Sequence, residues 1–188
     1  CSDKTGTLTE NRMTVTMLDV AGDSLTVSER LKRSQPAILR RNGNGDPEVP
    51  DGRDRDFALL LAGGALANDA TLERGEGDSR EFAAVGDPTE GALVVVAARF
   101  GLWKPDVEKA MPRVAEAPFT SERKRMTTVH RLPDGNDAQD PAIEFLRPIV
   151  NAPYVAFTKG SVDELVPLCD RVWESGTIRP MTEEWAAR

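Results

Sequence analysis

The stretch VGDPTEGALVVVAARFG, Val85 to Gly101, constrains the fold more than any other part of the chain. It carries both a start and a stop signal for a helix. Asp87 is a good N-cap, Pro88 suits the first helical position, and Glu90 stands where a capping-box carboxylate reaches back to the cap. The helix is expected to run to about Phe100 and to end at Gly101.

The other segments are shorter. MTVTMLDV (Met13–Val20) partly alternates and leads into AGD and SLTV, which predicts a β-hairpin turning at Ala21-Gly22-Asp23. Ser28 to Asp56 is polar and rich in Pro, Gly and Asn, so it reads as a long loop with a short helix near Leu31. Phe57 to Asn68 predicts a mostly buried helix, and Leu72 to Ser79 a loop. Pro105 to Met111 reads as another short helix. Strands are expected at Met126–Leu132 and Tyr154–Lys159, with an apolar insertion at Ala138–Pro153 between them and a short helix at Ser161–Cys169 after them.

Composition excludes some functions. A formal charge of −7 disfavours a nucleic-acid or anionic-membrane binder. FALLLAGGALA is too short to span a bilayer. Cys1 and Cys169 have no metal-ligand spacing, so a reducing cytosol is the expected setting. The chain starts without Met, which leads us to expect a piece of a longer protein, monomeric by itself. Asp23, Asp69 and Asp87 fit no metal-loop spacing. No Walker A pattern occurs: Gly86 and Gly91 have the right separation, but Ala92 follows where Lys is required.

The first residues, CSDKTGTLTENRMTV, raise a sharper question. A carboxylate such as Asp3 can attack a phosphoryl group and form an acyl phosphate. Gly6 lets the backbone approach, Thr7 can donate to phosphoryl oxygens, and Mg²⁺ offsets the charge on both partners. Local physics alone favours a plain Asx-turn here.

DKTGTLT nevertheless resembles the phosphorylation motif of the P-type ATPases, the membrane ion pumps, without mismatch. The resemblance continues in family order through LLLAGGALANDATL, GDPTEGAL, FTSERKRMTTV and FTKGSVDEL. It implies the family's nucleotide-binding domain, an α/β fold of α+β type, with a twisted, mainly antiparallel sheet flanked by helices. Residues 1–12 would be a remnant of the phosphorylation domain, and residues 13–188 the nucleotide-binding domain, incomplete at its C-terminus. The wording is most similar to the calcium-pump-like, often bacterial, branch.

The resemblance also implies roles. Asp3 would be the residue phosphorylated by ATP, Lys4 and Thr7 would line the phosphate site, and Asp3 with the Thr5 backbone would hold Mg²⁺. Glu90 would bond near the adenine amino group, and Phe119 would stack on adenine, since an aromatic face suits any base. Lys124, and less so Arg123, would contact phosphate or ribose. Lys159 would sit beside adenine, and Gly160 would permit close ligand approach. Each has a plainer local reading: a capping box for Glu90, core packing for Phe119, a solvated charge run for Arg123 to Arg125, and an edge-and-turn pair for Lys159-Gly160. Strand alternation would put Lys124, Met126 and Thr128 on one face, with Arg125 and Thr127 on the other. His130 reads as an ordinary strand residue.

Two departures stand out. Ser161 and Val162 replace the usual Ala and Pro after Lys-Gly, which puts a role for Glu164 in doubt. Ser121 stands where several members carry Arg. The expectation is the ATP-binding cytoplasmic domain of a cation-transporting membrane pump, whose partners are ATP, the remaining pump domains and the transported cation. The isolated piece would bind nucleotide without turnover. The alternatives are a haloacid-dehalogenase-class phosphatase and a non-catalytic nucleotide module. The phosphatases usually carry a second Asp where this chain has Thr5, a difference that favours a long-lived aspartyl phosphate.

Overall fold

The computed structural model describes residues 13–27, 52–74, 82–133, 152–174 and 176–187. Asp3, Lys4, Thr5 and Thr7 lie outside these residues, as do the loop reading for residues 28–51 and nearly all of the insertion at 138–153.

The described residues open with the expected hairpin, β1 (Met17–Val20) and β2 (Asp23–Thr26). Val20 pairs with Asp23, leaving a two-residue turn in which Ala21 and Gly22 both have positive φ, the geometry that matches strand twist. The Asp19 carboxylate steadies it by accepting from Gly22 N–H and from the Ser24 hydroxyl. Helix α1 (Gly52–Leu66) starts five residues before the expected Phe57, taking in the polar run GRDRD, with Asp54 in its first turn.

The segment read as a loop from Leu72 instead opens as strand β3 (Thr71–Arg74), paired antiparallel with β4 (Phe82–Val85). TLER has no apolar alternation to announce a strand, and its partner supplies the hydrogen bonds that make it one. Helix α2 (Pro88–Arg99) follows as expected, with the Asp87 carboxylate accepting from Thr89 and Glu90 N–H. Those two N–H groups, Glu90's first, hold the Asp87 carboxyl below its ordinary range. Helix α3 (Lys104–Ala110) comes next.

A three-stranded antiparallel sheet then forms from β5 (Arg113–Thr120), β6 (Arg125–Arg131) and β7 (Tyr154–Gly160), in that spatial order. The chain continues through α4 (Val162–Leu165), a 3₁₀ turn (Val166–Leu168), the hairpin of β8 (Arg171–Glu174) with β9 (Thr177–Pro180), and α5 (Glu183–Ala186). Every strand pairing among the described residues is antiparallel, so the expected class holds, although the pairings form one sheet and three separate hairpins.

The core lies where the helices meet. Phe57, Leu61, Ala65 and Leu66 of α1 pack with Val96, Ala97 and Phe100 from α2 and its end, with Leu102, Val107 and Met111 around α3, and with Leu18 and Val27 from the first hairpin. Full burial of one such large side chain contributes about 1.5–3 kcal/mol. The sheet contributes one face: Met126, Thr128 and His130 of β6 are buried, and Phe157 of β7 packs on the cluster.

Candidate functional site

Glu90 lies in the first turn of α2 and Lys159 near the end of β7, 69 positions apart. Lys159 Nζ donates to Glu90 Oε1 at 2.5 Å, and the two side chains are only 24% and 20% exposed. The capping-box expectation for Glu90 is therefore corrected. Its carboxylate turns away from the cap, because Lys159 takes one oxygen and the Asp69 N–H donates to the other at 3.1 Å. Asp87 caps the helix without that help.

A β-bulge sets the aromatic member. Ala117 pairs with Thr127 and Thr120 with Arg125, so Pro118 and Phe119 together stand opposite Met126. Met126 in turn pairs with Lys159. The row across the sheet thus reads Phe119, Met126, Lys159, with Glu90 beyond Lys159. Phe119 is 59% exposed, which removes the core-packing reading. A large ring left this open beside a partly dry ion pair is suited to covering a flat ligand.

The basic cluster does not act as a unit. Lys124 has φ 48° and lies in the turn between β5 and β6, so it does not share the face of Met126 and Thr128 as alternation predicted. Its N–H closes the turn onto Thr120 O, and its ammonium donates to Glu164 at 3.0 Å in an exposed pair. Glu164 thereby has a partner that the altered Lys-Gly-Ser-Val motif left open. Arg123 Nη2 donates to Pro118 O at 2.5 Å, which ties the turn back onto the strand carrying Phe119.

Gly160 has a packing reason of its own. An added Cβ would meet Arg125 Cβ at 2.7 Å and Arg125 Cα at 2.8 Å, and it would press on the Lys124 carbonyl oxygen. The close neighbour is the chain's own β6 backbone. That carbonyl accepts from Ser161 N–H, which fixes the exit of β7.

A cleft of about 770 Å³ opens beside β7, walled by Leu18, Leu60, Leu93, Phe157 and Leu165. It meets the candidate site only at Lys159 and Gly160; Glu90, Phe119, Arg123 and Lys124 are not in its wall. Among the described residues no cluster of three or more His, Cys, Asp or Glu side chains could hold a metal ion. The arrangement of carboxylate, ammonium and open ring can bind and orient a flat ligand that carries both donors and acceptors.

With this geometry in hand, comparison with known proteins is decisive. The family described as "P-type ATPase, cytoplasmic domain N" matches residues 56–188. This chain belongs to the P-type ATPases. The "Probable cation-transporting ATPase F" of Mycobacterium tuberculosis is 35% identical over 182 residues, covering 96% of this chain and 18% of that protein. The "Calcium-transporting ATPase 1" of Bacillus cereus is 35% identical over 185 residues, covering 97% and 16%. The "Calcium-transporting ATPase type 2C member 2" of Mus musculus is 31% identical over 191 residues, covering 98% and 17%. The chain therefore spans about a sixth of the length of these relatives. No described helix is long and apolar enough to cross a membrane.

Sequence reasoning missed the support behind the P-type ATPase site. Asn68 is fully buried at the end of α1, and its amide donates to Gly64 O at 3.1 Å and to Glu90 O at 2.9 Å. Lys104, also buried, donates to Asn68 O at 2.6 Å and Ala70 O at 2.8 Å. Burial pulls its pKa below the ordinary 10.5. Arg113 adds bonds to Leu66 O, Asn68 O and the Asp69 carboxylate. Asn68 stood in the stretch LLLAGGALANDATL with no role attached, and nothing in the chain order marked Lys104 or Arg113 as its partners. His130, read as an ordinary strand residue, is fully buried between Met111 O and the Thr128 hydroxyl, both at 2.9 Å, and burial depresses its pKa.

Proposed function

We propose that this chain is the ATP-binding part of a cation-transporting pump, with calcium the favoured ion given the names of its relatives. The adenine ring lies on Phe119. Its amino group donates to Glu90, and the Lys159 ammonium faces the acceptor nitrogens of the base. The observation that carries this reading is the Glu90–Lys159 contact, which joins GDPTEGAL and FTKGS side by side and within one row of Phe119. A carboxylate acceptor next to an ammonium donor complements the donor and acceptor edges of adenine, and stacking supplies the rest. Lys124, with less from Arg123, accounts for the phosphate or ribose side.

In the longer pump the γ-phosphate passes to Asp3. A carboxylate oxygen bonds to phosphorus as the bond from phosphorus to the bridging oxygen breaks, and ADP leaves with that electron pair. Lys4 and Thr7 offset charge on the transferred group. The carboxylate of Asp3 and the backbone of Thr5 are hard oxygen donors of the kind Mg²⁺ prefers, and the ion would neutralise the reacting oxygens. The pump's other domains and membrane part would be the partners of this cytoplasmic piece.

Calorimetric titration with ATP tests the binding half. Phe119→Ala removes a stacking contact of about 1–3 kcal/mol, so the Kd should rise about 5- to 150-fold. Lys159→Ala should also weaken binding. Absence of binding by folded parent protein, or indifference to both changes, refutes the assignment.

A further inference from the structure

We infer that Asn68 is a positioning residue that aims the Glu90 carboxylate at the adenine amino group. This rests on the nucleotide reading above and goes beyond it, because Asn68 itself touches no ligand position.

The argument starts from hydrogen-bond capacity. The Asn68 side chain has two donors and one acceptor group, and all are used. Its oxygen accepts from Ala70 N–H at 2.8 Å, which folds the turn after α1. Its amide reaches back to Gly64 O and across to Glu90 O. One buried side chain therefore joins the end of α1 to the first turn of α2. The next N–H along, that of Asp69, then lands 3.1 Å from Glu90 Oε2. Glu90 is held twice through the same turn, at its backbone carbonyl and at one carboxylate oxygen. The other oxygen is left for Lys159 and, in the bound state, for the base.

The turn itself is rigid. Lys104 and Arg113 both donate to Asn68 O, so the peptide that presents the Asp69 N–H is gripped from its far side by two cations. A carboxylate with one oxygen fixed cannot rotate to follow a wrong donor. The expected consequence is selectivity for a base with an amino donor over one without it, and not merely a more stable fold.

Paired titrations with ATP and inosine triphosphate, which lacks the amino group, test this. Asn68→Ala should weaken ATP binding about three- to tenfold and leave inosine triphosphate within about twofold. In a Glu90→Ala background the same change should cost ATP less than about twofold, since a positioning residue has nothing left to position. If both nucleotides weaken together, or if the full loss persists without Glu90, Asn68 is only a structural residue and the inference is overturned. Failure of the nucleotide reading has a different signature: Glu90→Ala alone alters binding of neither nucleotide, which removes the ground for the inference too. Circular dichroism checks folding. Should Asn68→Ala not fold, Asn68→Ser, which keeps an acceptor for Ala70 N–H but loses the amide, is taken through the same comparison with the same expected split.

Discussion

Replacing Gly160 by Ala separates two meanings of a glycine beside a ligand site. Gly160 has a φ outside the left-handed region, so Ala can adopt the backbone. With open space around it, the change would stabilise the protein by about 0.4–1 kcal/mol through the unfolded chain. The structure gives the opposite sign. The new methyl would sit 2.7 Å from Arg125 Cβ and 2.8 Å from Arg125 Cα, at the start of β6, where the preceding Lys124 carbonyl is already bonded to Ser161 N–H. Overpacking costs about 1–3 kcal/mol, and here the upper half applies because backbone must move. The net loss is then about 1–2.5 kcal/mol, or about 2–10 °C in Tm for a domain of this size. Thermal unfolding followed by circular dichroism measures it, with ATP titration run well below both midpoints. An unchanged or raised Tm together with lost ATP binding would mean that Gly160 makes room for ligand, and the packing argument would fail.

Two further outcomes follow from the buried polar groups. Burial holds His130 below its ordinary pKa of 6.5, so the fold keeps the imidazole neutral and the unfolded chain takes the proton first. Its contribution is therefore full above 6.5 and is lost as pH falls below that value through the folded pKa. The stability gap between parent and His130→Asn, from urea unfolding at about pH 7.5 and about pH 5.5, should shrink at the lower pH; a constant gap refutes this. Lys104→Met strands the carbonyl of Ala70 and removes one of two donors to Asn68 O, where Arg113 remains. An unsatisfied buried acceptor costs about 1–3 kcal/mol, part of which is offset by no longer burying an ammonium, so a net loss of about 0.5–2 kcal/mol is expected in the same assay. A neutral or stabilising result would show that charge burial outweighs the two bonds.

Local signals in the chain were sufficient wherever the cause was local. Asp87, Pro88 and Gly101 set the bounds of α2 without help from any distant residue. The turn at Ala21-Gly22 and the strands around Met126 and Tyr154 were readable for the same reason: period and turn chemistry act within a few residues. Glu90, Phe119 and Lys159 are marked by motifs in the sequence, and the fold sets Glu90 against Lys159.

Tertiary structure decided what these residues do to one another. Glu90 looked like a cap because its nearest sequence neighbours were all that could be seen; Lys159 and Asp69, far along the chain, win it away. TLER became a strand because β4 lies beside it, and Lys124 left the strand face because the hairpin turns at that residue. Lys104 and Arg113 carried no motif, and Asn68 stood in one without an assigned role, yet folding gathers them around one turn. Helix caps and turns draw their energy from adjacent residues and are written in the sequence. Ion pairs, strand partners and buried amide networks draw theirs from groups that only the folded chain brings within 3 Å or so of each other.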